Sequence, residues 1–470
     1  MTITRGQAAA RSGGSDRQGQ QPEGLDGLQA RLLGKVVRPG DATYDEVRRL
    51  WNGMVDRRPA AILRCTAARD VVEAVSFARD AGLPIAVRGG GHSIAGNSSC
   101  DGGIMIDLSP MRAIWVDPKA RTAVAEPGVL LMELDAATQA HGLATPSGVV
   151  GHTGIAGLTL GGGIGRLARK HGLTCDNLLS AAVVLADGRV VRASATEHPD
   201  LFWGLRGGGG NLGIVTAFEY RLHPVGPIIL GGLLLHPFGC AREALRFYRD
   251  FNRAAPDEVS ADAVLMATPT EGLMLGIACS YLGPLDEGER VLRPLREFGP
   301  PAQDQVGPVA YTALQTSLDE LFARGRRFYW KSHLLREISD RAIEALLEQS
   351  TRIPAAPTVI VLQHIGGAVS RIGVGETAYA HRNAAYDCIP IAIWDNPADD
   401  ARNIAWGRGF FEALRPFATG GVYVNNLGEE GDERVRAAYG TNHARLAQVK
   451  ARYDPSNLFR LNQNVWPAAA

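Results

Sequence analysis

The sequence predicts an α+β protein of two domains, and three observations predict it. Short strand and helix patterns alternate from residue 60 without an internal repeat; glycine is packed into dense runs before residue 225 and thins after it; beyond that point longer helices alternate with strand-like runs, the signature of a second unit.

The elements follow in order. Ala60-Ala-Ile-Leu-Arg-Cys65 is a strand, Thr66 a helix N-cap, and Val71, Val72, Val75 and Ala78 the apolar stripe of a helix that stops near Gly82. Pro84-Ile-Ala-Val-Arg88 is a second strand, and Gly103–Asp107, Ala113–Asp117 and Thr122–Glu126 read as three more. A helix runs from about Val129 to Ala140, closed by Gly142. Ser180 to Ser194 has a hairpin pattern pivoting on Asp187-Gly188, the pair favoured in type I′ turns. In the second unit a helix is expected over Asp340–Gln349 with Ser339 as its cap, and strands over Val359–Leu362 and Gly421–Val424. A helical stripe (Leu446, Val449, Tyr453) and an Asp454-Pro-Ser-Asn457 turn end the pattern.

Composition excludes several classes of function. Apolar residues make up 45% of 470 residues and charged residues 21%, and 49 Lys+Arg balance 49 Asp+Glu, so neither nucleic acid nor an anionic membrane is expected as a partner. Cys65, Cys100, Cys175, Cys240, Cys279 and Cys388 are widely spaced without a C-x-x-C pair, which suggests reduced thiols, no disulfide framework and no metal site. The first 23 residues carry no apolar signal region or twin-arginine pair; residues 1–25 are expected to be a disordered tail on a cytoplasmic protein.

The clearest deviation is 56 glycines. Arg88-Gly-Gly-Gly-His-Ser93 ends a strand with three residues that let backbone N–H groups converge on an anion, with the Arg88 charge beside them; a loose turn is the plain alternative. A lone histidine is more often structural than functional, but His92 directly follows this cradle. Gly148-Val-Val-Gly-His-Thr-Gly-Ile-Ala-Gly157, continued to Gly165, places glycine where a helix loses about 1 kcal/mol per residue, so a compensating contact is implied, most simply a flat or extended cofactor. Arg206-Gly-Gly-Gly-Gly-Asn-Leu-Gly213 contains a literal G-x-G-x-x-G. The dinucleotide fingerprint requires a helix after it, whereas Ile214–Leu222 is rich in β-branched and aromatic residues and reads as a strand; NAD(P) is rejected on that context.

These runs, with Pro84–Ser93, Leu205–Val215, Val449–Phe459 and Asn462-Gln-Asn464, resemble the berberine bridge enzyme-like branch of the vanillyl-alcohol oxidase flavoprotein family over nearly the whole chain beyond residue 35. The resemblance implies a PCMH-type FAD-binding domain over residues 26–225, a substrate domain over 226–424 built on an antiparallel sheet covered by helices, and a segment over 425–470 that returns to the FAD domain. It places the cofactor against Arg88, Gly89, Gly90, Gly91, His92, Ser93 and Gly96; against Gly148, Val150, Gly151, His152, Thr153, Gly154, Gly157, Thr159, Gly161, Gly162 and Gly163; against Gly213, Ile214 and Val215; and against Asn425, Asn462 and Asn464. In the family the histidine of R-G-G-x-H bonds the flavin 8α-methyl group, a role that falls on His92. Well-known members carry a second flavin-linking cysteine where this chain has Val150, and Cys175 is far along the chain, so a single linkage is expected, as in the hydroxynicotine-oxidase-like subgroup.

The resemblance further implies an oxidase: hydride passes from a small organic substrate (amine, alcohol, phenolic or sugar) to FAD, and dioxygen reoxidises the cofactor to give hydrogen peroxide. Tyr423, in an expected strand Tyr423-Val-Asn-Asn426 facing the flavin, is the candidate base or orienting hydroxyl, with His364 and Tyr311 as further candidates; structural hydrogen bonding is the plain alternative for each. Asn426 stands where relatives often carry an aromatic residue. A flavin-dependent dehydrogenase, a tailoring oxygenase, or a redox-active resistance or binding protein are the alternative functions, and a monomer or homodimer is expected.

Overall fold

A computed structural model describes residues 22–299 and 301–469. Of the expected tail, residues 1–21 lie outside the described residues, and Leu25 already begins a helix, Leu25–Arg31, with its side chain buried.

Three sheets frame the site. Lys35–Val37, Ala61–Arg64, Ile104–Asp107 and Ile85–Arg88 form a four-stranded sheet in that order, parallel except at its first pair. The helix Ala68–Asp80 covers it, with Val71, Ala74, Val75 and Ala78 buried as the stripe predicts. Thr66 does not cap that helix: Ala67 occupies the cap position, and the Thr66 hydroxyl donates to Asp70 Oδ2 at 3.1 Å. A five-stranded antiparallel sheet follows in the order Ile114–Asp117, Thr122–Ala125, Ile214–Arg221, Leu178–Val184, Val190–Ser194. Its hairpin is closed by Leu185 N–H donating to Arg189 O at 2.9 Å, and Asp187 keeps a negative φ while Gly188 takes φ +89°. The turn is therefore a three-residue loop with glycine in the left-handed position, not the expected type I′.

The third sheet has nine strands, all antiparallel, running Gln303–Asp304, Ile228–Pro237, Gly272–Tyr281, Val259–Thr268, Val359–His364, Tyr386–Trp394, Arg327–Trp330, with Gly307–Ala310 and His333–Leu335 alongside. One face carries the helices Ala241–Ala254, Leu285–Glu297, Asp340–Ser350 and Asp400–Leu414 over an apolar core that includes Leu245, Tyr248, Leu292, Leu346 and Phe410. Ser339 caps Asp340–Ser350 as its sequence predicts, accepting from Ala342 N–H at 3.2 Å. The other face is turned toward the glycine-rich loops. Gly421–Val424 is not a strand; the chain leaves Tyr423 into a 3₁₀ turn, Val424–Asn426.

The end of the chain packs on the first two sheets. Leu446, Val449 and Tyr453 of the helix His443–Tyr453 join the core with Leu201, Trp203 and Phe218. Lys450, fully buried, donates to Asp454 Oδ2 at 2.6 Å and to Asn211 O at 2.7 Å. Asn211 in turn accepts from Val465 N–H at 2.9 Å, so the glycine-rich loop before Ile214 and the chain end hold each other.

Candidate active site

Between the glycine-rich loops and the open face of the nine-stranded sheet lies a cavity of about 980 Å³. The sequence-predicted residues Gly89, Gly90, Gly91, His92, Ser93, Gly148, Val150, Thr153, Gly154, Gly157, Gly213, Ile214, Val215, Asn425 and Asn462 line it.

Two kinds of glycine are distinguishable there. A Cβ on Gly90 would lie 2.4 Å from Gly154 N, and one on Gly154 2.3 Å from Gly90 N, so these two are glycines because two loops pack backbone to backbone. At these two positions the compensating contact is protein backbone, beside whatever the cavity holds. Gly157 is different: it sits inside the helix Ile155–Gly161, lines the cavity, is exposed, and a Cβ there would meet no atom within 4 Å. Glycine at such a point costs the helix about 1 kcal/mol relative to alanine and no protein atom requires it, which leaves a bare stretch of backbone on the cavity wall. Asn462 Nδ2 donates to Gly210 O at 3.0 Å while its Oδ1 is buried without a partner. A bare backbone stretch and an unspent acceptor on the cavity wall fit an extended polar cofactor such as FAD.

Other expected cofactor residues serve the frame. Arg88 does not face the cavity: its guanidinium donates to both oxygens of buried Asp107, at 2.9 and 2.6 Å. The reason is local, because Arg88 and Asp107 are register partners on adjacent parallel strands. Gly96 turns the chain with φ +73°. Gly151 N–H donates to Asp319 Oδ1 at 2.5 Å, and Thr159 Oγ1 is 2.8 Å from the buried Tyr220 hydroxyl. A Cβ on Gly161 would overlap Asn425 Oδ1, and positive φ at Gly162 and Gly163 brings Gly163 N–H to the Tyr423 hydroxyl at 2.8 Å. Asn464 Oδ1 is buried without a partner away from the lining.

His92 is held by two partners. Its ring stacks on Trp51 at 4.3 Å, Trp51 stacks on Phe328 at 3.9 Å beyond it, and Trp51 Nε1 donates to Phe322 O at 2.6 Å. His92 Nε2 lies 2.7 Å from His152 Nδ1, and His152 Nε2 lies 3.3 Å from Asp319 O. A carbonyl only accepts, so His152 carries its proton on Nε2 and accepts on Nδ1; His92 must then donate from Nε2, which leaves its Nδ1 with a bare lone pair. Burial holds the His92 imidazole well below its ordinary pKa, with the His152 and Arg324 charges acting in the same direction, so the ring stays neutral.

Of the expected catalytic residues, Tyr423 alone lines the cavity. Its oxygen accepts from Gly163 N–H and from Asn425 Nδ2, both at 2.8 Å, and burial pushes its pKa up, so it remains a phenol with its own proton free to donate. His364 is on the opposite face of its strand, stacked on Tyr386 at 5.1 Å and 3.0 Å from Arg169 Nη1. Tyr311 is fully buried and does not reach the cavity. Both are corrected to packing positions. Sequence reading missed Trp51, Arg166, Asp262, Gln363 and Trp330, all of which line the cavity. The signal for Asp262 was present: on Val259–Thr268 it shares a face with Val264 and Met266, a charge inside an apolar alternation. No cluster of metal-ligating side chains occurs among the described residues, and no helix among them is long and apolar enough to cross a membrane.

Comparison with known proteins gives a consistent picture. A model described as FAD binding domain matches residues 59–194, and one described as berberine and berberine like matches residues 422–466. An FAD-linked oxidoreductase of Dictyostelium discoideum is 32% identical over 441 residues, covering 93% of this chain and 95% of that protein. (R)-6-hydroxynicotine oxidase of Paenarthrobacter nicotinovorans is 31% identical over 448 residues, covering 93% and 97%. Glucooligosaccharide oxidase from Acremonium strictum, solved in a study of its 6-S-cysteinyl, 8α-N1-histidyl FAD, superposes with a TM-score of 0.86 at 25% identity, covering 95% and 100% of the two chains.

Proposed function

Because the chain belongs to the berberine bridge enzyme-like FAD-linked oxidoreductases, we propose that it is an oxidase of a small organic substrate, with FAD bonded once, through His92 Nδ1, and dioxygen as the re-oxidant that yields hydrogen peroxide. Residues 26–225 with 425–470 form its FAD domain in this reading, and 226–424 its substrate domain. Six unpaired cysteines, five of them buried, suit a reducing compartment, so we place the enzyme in the cytoplasm.

The observation that carries the reading is the chain of tautomers from Asp319 O through His152 to His92. It leaves one bare ring nitrogen on a neutral, stacked imidazole at the cavity wall, the state in which a histidine acts as a nucleophile. Glucooligosaccharide oxidase carries a flavin that is also cysteinyl-linked; in this chain Val150 packs in an apolar cluster with Trp51, Phe322 and Ile391, and Cys175 is enclosed with Tyr379 and Tyr423 off the cavity lining. Bound FAD supplies a two-electron acceptor at N5, and a covalent link prevents its loss and raises its potential. The chain's own residues do the rest. Gly157 leaves room, Asn462 Oδ1 accepts a hydrogen bond, Tyr423 presents a hydroxyl proton, and the apolar sheet face excludes water.

Acid-precipitated protein should stay yellow, and the His92→Ala protein should lose its colour on precipitation. Colour lost with His152→Ala but retained with His92→Ala would reassign the bond; protein that is colourless even after incubation with added flavin would end the reading.

A further inference from the structure

The sheet face that closes the cavity is ordered in rows across three strands. Met266, Val359 and Ile391 are register partners in one row, and Val264, Val361 and Ile389 in the next. Ala263 pairs with Leu362, which sets Asp262 and Gln363 side by side, and Gln363 pairs with Asp387. Two apolar rows are thus followed by one polar row. The apolar rows join the cluster around Trp51 and Phe322, at the His92 end of the cavity; the polar row lies at the other end, where Asn426 Nδ2 donates to Asp387 Oδ2 at 2.8 Å.

The two carboxylates of this row are in different positions. Asp387 is spent, accepting from the Ser332 hydroxyl at 2.6 Å as well as from Asn426, and it does not line the cavity. Asp262 lines it; Oδ1 accepts from His364 N–H at 2.8 Å, and Oδ2 takes no hydrogen bond among the described residues. Facing the same cavity is Arg166, 9% exposed, which donates from Nη2 to Leu314 O at 3.1 Å while its Nε is buried with no partner. No oxygen of Asp262 comes within the 4.0 Å of an ion pair with Arg166, although each shifts the other's ionisation. Two side chains of opposite charge therefore line the cavity without meeting, Asp262 with a free oxygen and Arg166 with an unpartnered Nε, an arrangement that costs free energy unless a third group bridges them.

We propose that the bridging group is the hydroxyl of an apolar alcohol substrate, with Asp262 Oδ2 as its proton acceptor and Arg166 as the donor to its oxygen. A hydroxyl donates once and accepts, which satisfies both side chains. An ammonium would lie against the Arg166 cation, and an oligosaccharide would set unpaired hydroxyls on the two apolar rows. The inference rests on the flavin oxidase reading above. Its bookkeeping is closed: the carbinol C–H breaks and its electron pair leaves as hydride to oxidised flavin, the O–H proton passes to Asp262, and a C=O bond forms. Arg166 holds the oxygen as its negative charge grows.

The ionisable groups around Asp262 are Arg166 and Arg169, His364 on the neighbouring strand and Asp387 beyond Gln363. Burial, the largest cause, raises the Asp262 carboxyl to about 6, against the His364 N–H and the two arginines, which lower it. The His364 ring, lowered to about 3 by burial, does not change charge in that range.

The test is a panel of 1-octanol, geraniol, cinnamyl alcohol, cellobiose and benzylamine, read twice: by anaerobic flavin bleaching of the holoenzyme and by calorimetric binding to the His92→Ala protein. Expected are bleaching and binding by the alcohols and by neither other probe, a reduction rate that rises through about pH 6, a loss of roughly 10²-fold with that pH step abolished in Asp262→Asn, and alcohol binding at least tenfold weaker in Arg166→Met. Preference for cellobiose or benzylamine in either measurement, or an unchanged rate and pH profile in Asp262→Asn, overturns the proposal. A colourless wild-type protein would sink the flavin reading alone, because the binding arm still decides between alcohol, sugar and amine. If Asp262→Asn does not fold, the pH step of the wild type and the Arg166→Met affinity carry the decision.

Discussion

Substituting Gly157 by alanine should move two quantities in opposite directions. Without cofactor the new methyl group meets no protein atom within 4 Å, and exchanging glycine for alanine in the interior of Ile155–Gly161 favours the helix by about 1 kcal/mol. For a chain of this size that is a rise in apo melting temperature of about 2 °C. With cofactor the same methyl group occupies the space that the cavity wall keeps bare, so flavin content after expression should fall, and fall further in Gly157→Leu. Gly90→Ala is the control. Its Cβ would be 2.4 Å from Gly154 N, a backbone atom with nowhere to go. Overpacking of that kind costs about 1–3 kcal/mol or more, and it should lower the melting temperature with or without flavin. The assay is a thermal melt of protein from riboflavin-starved and riboflavin-fed cells, with bound flavin counted by absorbance. A Gly157→Leu protein that carries as much flavin as wild type would show that the bare wall is not where the cofactor lies.

Two further outcomes follow from the geometry. Tyr423→Phe removes the hydroxyl proton that Tyr423, just before the 3₁₀ turn, offers to the cavity and should slow flavin reduction by roughly 10²-fold; an unchanged rate assigns Tyr423 to holding Gly163 and Asn425. Asp135, buried beside Gln315, has its carboxyl raised to about 7 by burial against a weaker lowering from the Gln315 hydrogen bond. A raised carboxyl binds its proton more tightly in the folded chain, so its contribution is full below about pH 4 and is lost as pH climbs through 7, at most about 4 kcal/mol for a shift of roughly three units. Asp135→Asn should therefore stabilise the protein at pH 8 more than at pH 4 in denaturant melts, and equal effects at both would refute the assignment.

What could be read from the sequence divides along physical lines. Local signals succeeded where local physics decides: the Ser339 cap, the Ala68–Asp80 stripe, the strand after Gly213 that excluded a dinucleotide fold, and the glycine runs that gather at one cavity. They failed where a distant partner takes over a side chain. Arg88 looks like a phosphate ligand until the neighbouring parallel strand supplies Asp107. His364 reads as catalytic until alternation along Val359–His364 puts it and Gln363 on opposite faces. Tyr423-Val-Asn-Asn has strand propensity, yet the segment turns because Tyr423 and Asn425 are tied to the glycine loop at 161–163. The Asp262, Gln363 and Asp387 row is invisible without strand register, since its members lie on three strands and only the ladder aligns them.

The wall at Asn462 has a consequence for how the protein matures. Val465 closes onto Asn211 across 254 residues of chain, so when the glycine loops leave the ribosome the segment that completes their pocket has yet to be synthesised. If flavin is held there, its loading should come late in synthesis, and protein lacking residues 459–465 should accumulate with less bound flavin than the full chain.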